Sequence, residues 1–344
     1  MRKIFLFGYY GFGNLGDELL CAYYTNIITT AFPAARVVVL THNPAPAGTG
    51  AVHLVSRWNL WQIAKMMQPG DLLVGGGGSI FQDRTSKRSL LYYLTLLNLA
   101  RRRGVEIILA GQGFGPLSPI GRMVAGPVLN RVRAISCRDQ WSLGLLAAMG
   151  VSRPEIALGV DPLWDFPGCA GERDMARPSG RASGIGYLLR KGNLQVKRSL
   201  LAALKFRFGD LKLITLFPED YEAASRLSTE LGNSSPVLVQ ELAQLRVHFA
   251  GLSFVLGERL HGLLLAARYG LPGIGLGDDP KIGAFCQQMG WPCFSWQDPG
   301  LEKITVMAAE KLRADLETAV LQTAKQCRVM EVQAKEEKEW VLQQ

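Results

Sequence analysis

Apolar residues in this chain fall into short, nearly unbroken runs, separated by longer stretches in which they recur every three or four positions. The runs at 4–7, 36–40, 71–74, 106–110, 134–137 and 155–158 predict strands, and helical spacing fills 18–31, 60–67, 86–102, 120–130 and 140–149. Strands that are continuously apolar rather than alternating are buried on both faces, which indicates a parallel sheet covered by helices on each side. The pattern lapses over 166–183, FPGCAGERDMARPSGRAS, where Pro, Gly, Ser and scattered charge read as a linker. It restarts with strands at 185–189, 212–216, 236–239, 253–256 and 273–276. The expected class is α/β, with two Rossmann-like doubly wound domains, residues 1–165 and 184–300, facing across a cleft. The segment 301–344 is expected to be helical and to pack back, and its 302–340 stretch mixes 7 basic with 8 acidic residues, which argues against a polybasic membrane anchor.

A length of 344 residues suits two domains, and 48% hydrophobic with 19% charged residues excludes a disordered, collagenous or coiled-coil chain. The net charge of +9 is uneven: residues 1–165 hold 16 basic and 9 acidic side chains, the remainder 22 and 20. A basic half serves anionic ligands. No aromatic-interleaved basic stripe, zinc-knuckle spacing or basic region is present, so no nucleic-acid partner is expected, and small phosphorylated ligands fit better. Six cysteines without a C-x-x-C pair suit a reducing, cytoplasmic setting, and Met1 leads directly into a strand with no signal-peptide pattern. The apolar runs fall short of the roughly 18 residues of a membrane span. Peripheral contact stays open through helix 86–102, which ends in Arg101–Arg103: these either cap a buried helix or rest on anionic head groups.

The chemistry concentrates at predicted strand ends. In GYYGFGNLGDE, residues 8–18, Gly11, Gly13 and Gly16 satisfy G-x-G-x-x-G, and a helix N-terminus behind such a loop offers N–H groups to an anion. A nicotinamide domain would place an acidic residue at the end of the second strand; Thr41 and His42 stand there instead. Asn14 and Asp17 lie in the loop, with Asp17 also suited to cap the following helix. Gly75–Gly78, with Gly76, Gly77 and Ser79, and GQGFGP at 111–116 are expected as two further glycine turns on the same rim. Arg138 follows another strand and either grips a phosphate or carboxylate or pairs with Asp139; Asp161, at the next strand end, is equally ambiguous. In the second half, Glu258, Arg259, His261 and Lys281 sit at adjacent strand ends, a group of cations that calls for an anion. No His/Cys cluster or H-E-x-x-H suggests a metal.

Taken together, GNLGDE, GGGGS, GQGFGP, SCRD, ERLHG and GDDPK resemble the polysaccharide pyruvyl transferase family, in order over about residues 4–290. The resemblance implies a GT-B arrangement of two Rossmann-like domains and transfer of pyruvate from phosphoenolpyruvate, a co-substrate rather than a cofactor, to a sugar as a cyclic ketal. It implies a cell-envelope saccharide acceptor on a lipid or nucleotide carrier, and donor-binding and catalytic positions at Arg138, Arg259, His261 and Lys281. On that reading His261 is the general acid, because an imidazole titrates near neutral pH. Glu258 is the rival acid and Asp17 the base for the acceptor hydroxyl, and Gly11, Gly13, Asn14, Gly16, Gly76, Gly77 and Ser79 face the acceptor. The alternative is a nucleotide-sugar glycosyltransferase of the same architecture, since fold does not fix chemistry.

Overall fold

The computed structural model of the chain describes residues 2–44, 52–168 and 184–344. Apart from residues 166–168, the predicted linker lies outside the described residues. The chain divides into two compact units. One holds Met1–Gly13, Asp17–Asp165 and Glu331–Gln344, the other Asn14–Gly16 and Phe166–Met330.

The first unit carries strands β1 (Lys3–Phe7), β2 (Arg36–Thr41), β3 (Val52–Ser56), β4 (Leu72–Phe81), β5 (Glu106–Phe114), β6 (Ala134–Cys137) and β7 (Glu155–Leu158). They form one sheet in the order β3-β2-β1-β4-β5-β6-β7, with every pairing parallel. Between them run α1 (Leu15–Ala31), α2 (Leu60–Met66), α3 (Lys87–Arg102), α4 (Pro119–Leu129) and α5 (Gln140–Ala148). The starts of α2 to α5 follow from Asn59, Ser86, Ser118 and Asp139, whose side chains accept the N–H three residues on. Phe5, Phe7, Val38 and Leu73 from the sheet pack with Tyr93 and Leu97 of α3, which is the burial that continuous apolar strands require.

The second unit repeats the plan. Strands β8 (Gly184–Leu188), β9 (Leu211–Thr215), β10 (Val237–Leu238), β11 (Leu252–Gly257), β12 (Gly273–Leu276) and β13 (Cys293–Phe294) pair in parallel in the order β10-β9-β8-β11-β12-β13. Its helices are α6 (Leu194–Phe208), α7 (Pro218–Leu231), α8 (Leu242–Phe249), α9 (Leu260–Arg268), α10 (Pro280–Met289) and α11 (Leu301–Ala314), followed by α12 (Leu316–Gln343). Tyr187, Leu213, Phe254 and Ile274 meet Leu200, Leu204 and Ala309 in its core. In each sheet the strand order reverses once, between β1 and β4 and between β8 and β11. Ligands of open α/β sheets settle outside the carboxyl ends of the strands at such a reversal.

Several elements differ from expectation. The runs Gly75–Gly78 and Gly111–Phe114 are not turns after strands but the last parts of long strands β4 and β5, paired Gly75↔Leu109, Gly76↔Ala110 and Gly78↔Gln112, with an irregularity before Phe81↔Phe114. Glycine is required there by positive φ at Gly77 (+76°) and Gly78 (+82°), and by crowding at Gly76, where a Cβ would meet the Tyr10 hydroxyl at 2.4 Å. Helix α1 starts at Leu15, three residues before the sequence signal, which puts Asp17 inside the first turn rather than at the cap. Strands β3 and β13 carried no strong run, and the tail is two helices parted at Asp315. No helix among the described residues is long and apolar enough to cross a membrane.

Candidate active site

In the second unit, β8 leads into Arg190 and Lys191, and β11 leads into Glu258 and Arg259. These are the two strands flanking the reversal. Burial, and next the Arg259 charge, hold the Arg190 guanidinium below the usual arginine range, so two like charges share one neighbourhood. Asp279 lies 4.0 Å from Arg190 Nη1. Arg259 donates from Nε (2.9 Å) and Nη2 (2.5 Å) to one oxygen of Asp220, while the other oxygen of this fully buried carboxylate accepts the Lys191 N–H at 2.9 Å. Asp220 supplies the counter-charge that a half-buried guanidinium needs. It keeps two of the three guanidinium nitrogens occupied.

Glu258 turns inward. Its carboxylate meets Lys197 Nζ at 2.7 Å and accepts from the Tyr187 hydroxyl at 3.0 Å. Burial pushes the Glu258 carboxyl up to about 7 against the pull of Lys197, and burial also lowers the Lys197 ammonium. Both shifts favour the neutral pair, as expected when two charges leave water together. His261 is the second residue of α9, two positions past the N-cap Arg259. Gly16, which groups with this unit, lies flat against its ring: a Cβ at Gly16 would fall 1.9 Å from His261 Nδ1. The third glycine of G-x-G-x-x-G is therefore needed for the imidazole. Lys281 is buried in the first turn of α10, its N–H donating to the N-cap Asp279 at 3.2 Å.

In the first unit the loop after β1 is already occupied by its own chain. The N–H groups of Gly11 (2.9 Å) and Gly13 (3.0 Å) donate to the Glu18 carboxylate of α1, so those donors, expected to face an acceptor, are engaged by Glu18. Asp17 is buried near the glycine strand, its Oδ1 3.2 Å from where a Gly78 Cβ would stand. The carbonyl of Gly76 accepts from the Tyr10 hydroxyl (2.6 Å), and the carbonyls of Gly75 and Gly77 accept from Gln112 Nε2 (2.9 and 3.0 Å), which fixes the shape of this run. Arg138, 5% exposed, donates from Nη1 to Asp161 (2.8 Å) and from Nη2 to Ser79 Oγ (2.7 Å). Asp139 was expected as the carboxylate partner of Arg138, but Asp161 is the one hydrogen-bonded to it. Asp139 stands 3.6 Å from Nε and serves mainly as the N-cap of α5, accepting the Ser142 N–H at 2.7 Å.

The structure thus gathers Gly16, Glu258, Arg259, His261 and Lys281 at strand ends and helix starts of the second unit. In the first it gathers Asp17, Gly76, Gly77, Ser79 and Arg138, while Asn14 groups with the second unit. Arg190 was missed although it stands one residue beyond a predicted strand, where the rule that found Arg138 applies equally. Asp220 and Glu18 carried no signal, since each is one of two adjacent acids at a helix start. No cluster of three or more metal-ligating side chains occurs among the described residues.

The family model described as polysaccharide pyruvyl transferase matches residues 14–280. No curated protein sequence matches the chain. Among solved structures, Anabaena Alr3699/HepE in complex with UDP and glucose is 12% identical, with a TM-score of 0.62 over 99% of this chain and 98% of that one. WaaG, a glycosyltransferase involved in lipopolysaccharide biosynthesis, is 12% identical with a TM-score of 0.55 over 98% and 99%. Sucrose-phosphate synthase from Thermosynechococcus elongatus is 13% identical with a TM-score of 0.64 over 98% and 97%. At such identity the likeness establishes the fold alone: both doubly wound units have the GT-B type of fold.

Proposed function

We propose, because this chain belongs to the polysaccharide pyruvyl transferase family, that it moves pyruvate from phosphoenolpyruvate onto a sugar of a cell-envelope polysaccharide precursor, as a cyclic ketal with release of phosphate. The observation that carries the donor assignment is the pair Arg190 and Arg259 at the two strand ends beside the sheet reversal, close enough for one charge to depress the other. Asp220 and Asp279 offset part of the repulsion between these guanidiniums, and an anionic donor lying between them offsets the rest. Phosphoenolpyruvate offers a carboxylate and a phosphate whose second pKa lies near 6. Lys281 is a further counter-charge in the same unit, and Arg138 is proposed for phosphoenolpyruvate through the SCRD motif that the family resemblance carries.

Chemistry follows from the donor's enol phosphate. His261 delivers a proton to the methylene carbon, and the central carbon becomes electrophilic. One sugar hydroxyl adds there, its proton passing to Asp17. A second hydroxyl then displaces phosphate, which leaves with the bridging oxygen, and closes the ketal; its proton returns to His261, and the proton held by Asp17 leaves with the phosphate. Glu258, spent on Lys197 and Tyr187, is a support for this site rather than its acid. Gly76, Gly77 and Ser79 stand on the acceptor side. A carrier-linked acceptor would be a reason for contact with a membrane surface, to which Arg101–Arg103 present an exposed basic edge.

The test is incubation with phosphoenolpyruvate and a panel of carrier-linked disaccharides, read by mass spectrometry and phosphate release. Acceptor-dependent phosphate release with a pyruvyl mass gain is expected. Release of a nucleotide from a nucleotide sugar, with no consumption of phosphoenolpyruvate, overturns the reading.

A further inference from the structure

A buried carboxylate stands far outside the segment that the family model covers. Glu337, near the end of α12, is 8% exposed, and its two oxygens reach the carboxyl edge of the first sheet. Oε1 accepts from Ser136 Oγ at 2.5 Å, and Oε2 accepts from the Val160 N–H at 2.8 Å. Ser136 Oγ in turn accepts the Gly111 N–H at 2.7 Å. Gly159 makes the approach possible, since a Cβ there would sit 2.1 Å from Oε2.

Each of these three segments also holds Arg138. Ser136 precedes it by two residues on β6. Gly111 precedes Gln112, whose carbonyl accepts the Arg138 N–H at 3.1 Å. Val160 precedes Asp161, whose Oδ2 accepts from Arg138 Nη1 at 2.8 Å. We infer that Glu337 is a positioning residue for Arg138: its carboxylate ties the ends of β5, β6 and β7 into one frame, and that frame sets the guanidinium. The inference rests on Arg138 serving the phosphoenolpyruvate site as proposed above.

A helix packing on a sheet gains more from a leucine than from a charge, so the carboxylate calls for a reason beyond adhesion. No lysine or arginine bonds to Glu337 among the described residues, and the nearby Lys338 is turned to Asp165 at 2.5 Å. The groups facing it are Tyr23 and Tyr24 of α1, Cys137 of β6, and Asp161 after β7. None brings positive charge. Burial accordingly pushes the Glu337 carboxyl up to about 7, against the hydrogen bonds from Ser136 and Val160. What the site keeps in exchange is a two-pronged acceptor of fixed geometry, which an apolar side chain cannot provide.

The test is a double-mutant cycle on the full chain, with Glu337→Ala and Arg138→Ala singly and together, and Glu337→Gln as the conservative variant. Glu337→Ala is expected to raise the KM for phosphoenolpyruvate about tenfold with kcat changed less, and to raise it less than about twofold in the Arg138→Ala background. Glu337→Gln, whose Oε1 can accept the Val160 N–H while its Nε2 donates to Ser136 Oγ, keeps both ties and should hold KM within about twofold of the wild type. Additive effects, or an unchanged KM in a folded Glu337→Ala protein, overturn the inference. If Glu337→Ala does not fold, Ser136→Ala removes one tie and takes its place in the cycle. If the wild type neither binds nor consumes phosphoenolpyruvate, the proposed function has failed, and hydrogen exchange decides the positioning claim alone. Faster exchange of the Arg138, Gly111 and Val160 amides in Glu337→Ala but not in Glu337→Gln supports the frame, and unchanged exchange refutes it.

Discussion

Replacing Glu258 separates a support from an acid. Lys197 Nζ lies 2.7 Å from the Glu258 carboxylate, with side chains only 1% and 4% exposed. Removing one member of a buried pair strands the other, at a cost of about 3–5 kcal/mol when the survivor stays charged. Because burial favours the neutral forms of both groups, Lys197 can shed its proton, and the cost then approaches the about 1–3 kcal/mol of an unsatisfied buried polar group. Glu258→Ala is therefore expected to lose about 2–4 kcal/mol. Replacing both residues together, as Lys197→Met with Glu258→Leu, should recover most of that loss, since no orphan remains. Urea titration followed by fluorescence suits the measurement, because Lys197 Nζ lies 5.4 Å from the Trp296 ring. Hydrogen exchange over Leu194–Phe208 assigns the loss to this unit, which matters in a chain of two units that need not unfold in one step. Glu258→Gln should keep kcat within about threefold, far from the about 100-fold or greater loss expected of a missing general acid. A folded Glu258→Gln protein with that larger loss, or a Glu258→Ala protein of unchanged stability, would refute the support role.

His261→Ala should fold normally and lose at least about 100-fold in rate, measured as acceptor-dependent phosphate release; near-normal turnover rejects it as the acid. Gly16→Ala drives a methyl into the His261 ring, so activity should fall with a stability loss of about 1–3 kcal/mol, read by melting and kinetics on the same preparation. Arg190→Ala should raise the KM for phosphoenolpyruvate, and an unchanged KM would place the anion elsewhere. For pH, Glu337 titrates at about 7 when folded against 4.5 as its ordinary value. Because the folded pKa is raised, its contribution is fully present below about 4.5 and is lost as pH rises through about 7, at most about 3 kcal/mol. Melting curves between pH 5 and 8 should therefore flatten in Glu337→Gln relative to wild type.

What the sequence disclosed was set by where apolar content is dense. Strands such as Ala134–Cys137 and Gly273–Leu276 were readable to the residue because both their faces are buried, whereas β3, broken by His53 and ending at Ser56, has partly buried faces and left a weak run. The glycine runs misled for a physical reason. Glycine signals freedom of φ and absence of a side chain, and both turns and crowded strands need these. Only Tyr10, Tyr24 and Gln112, brought in from elsewhere in the chain, distinguish the two. The positions of Arg138, Arg259, His261 and Lys281 were legible because each follows a strand closely. Their partners were not: Asp139, the neighbour in sequence, was the expected carboxylate for Arg138 where Asp161 takes the hydrogen bond, and Asp220 looked like any acidic helix start. Glu337 left no trace at all, because a charged residue in a near-neutral helical tail looks solvated until the fold buries it.

Interleaved chain segments make this protein awkward to dissect. A fragment ending at Asp165 would lack Glu331–Gln344, and one beginning at Phe166 would lack Asn14–Gly16, though each stretch belongs to the unit it would leave. Splitting the gene at the boundary between the sheets would therefore yield two incomplete products. A usable half-protein would need the terminal helix grafted back onto the amino-terminal piece through an engineered tether.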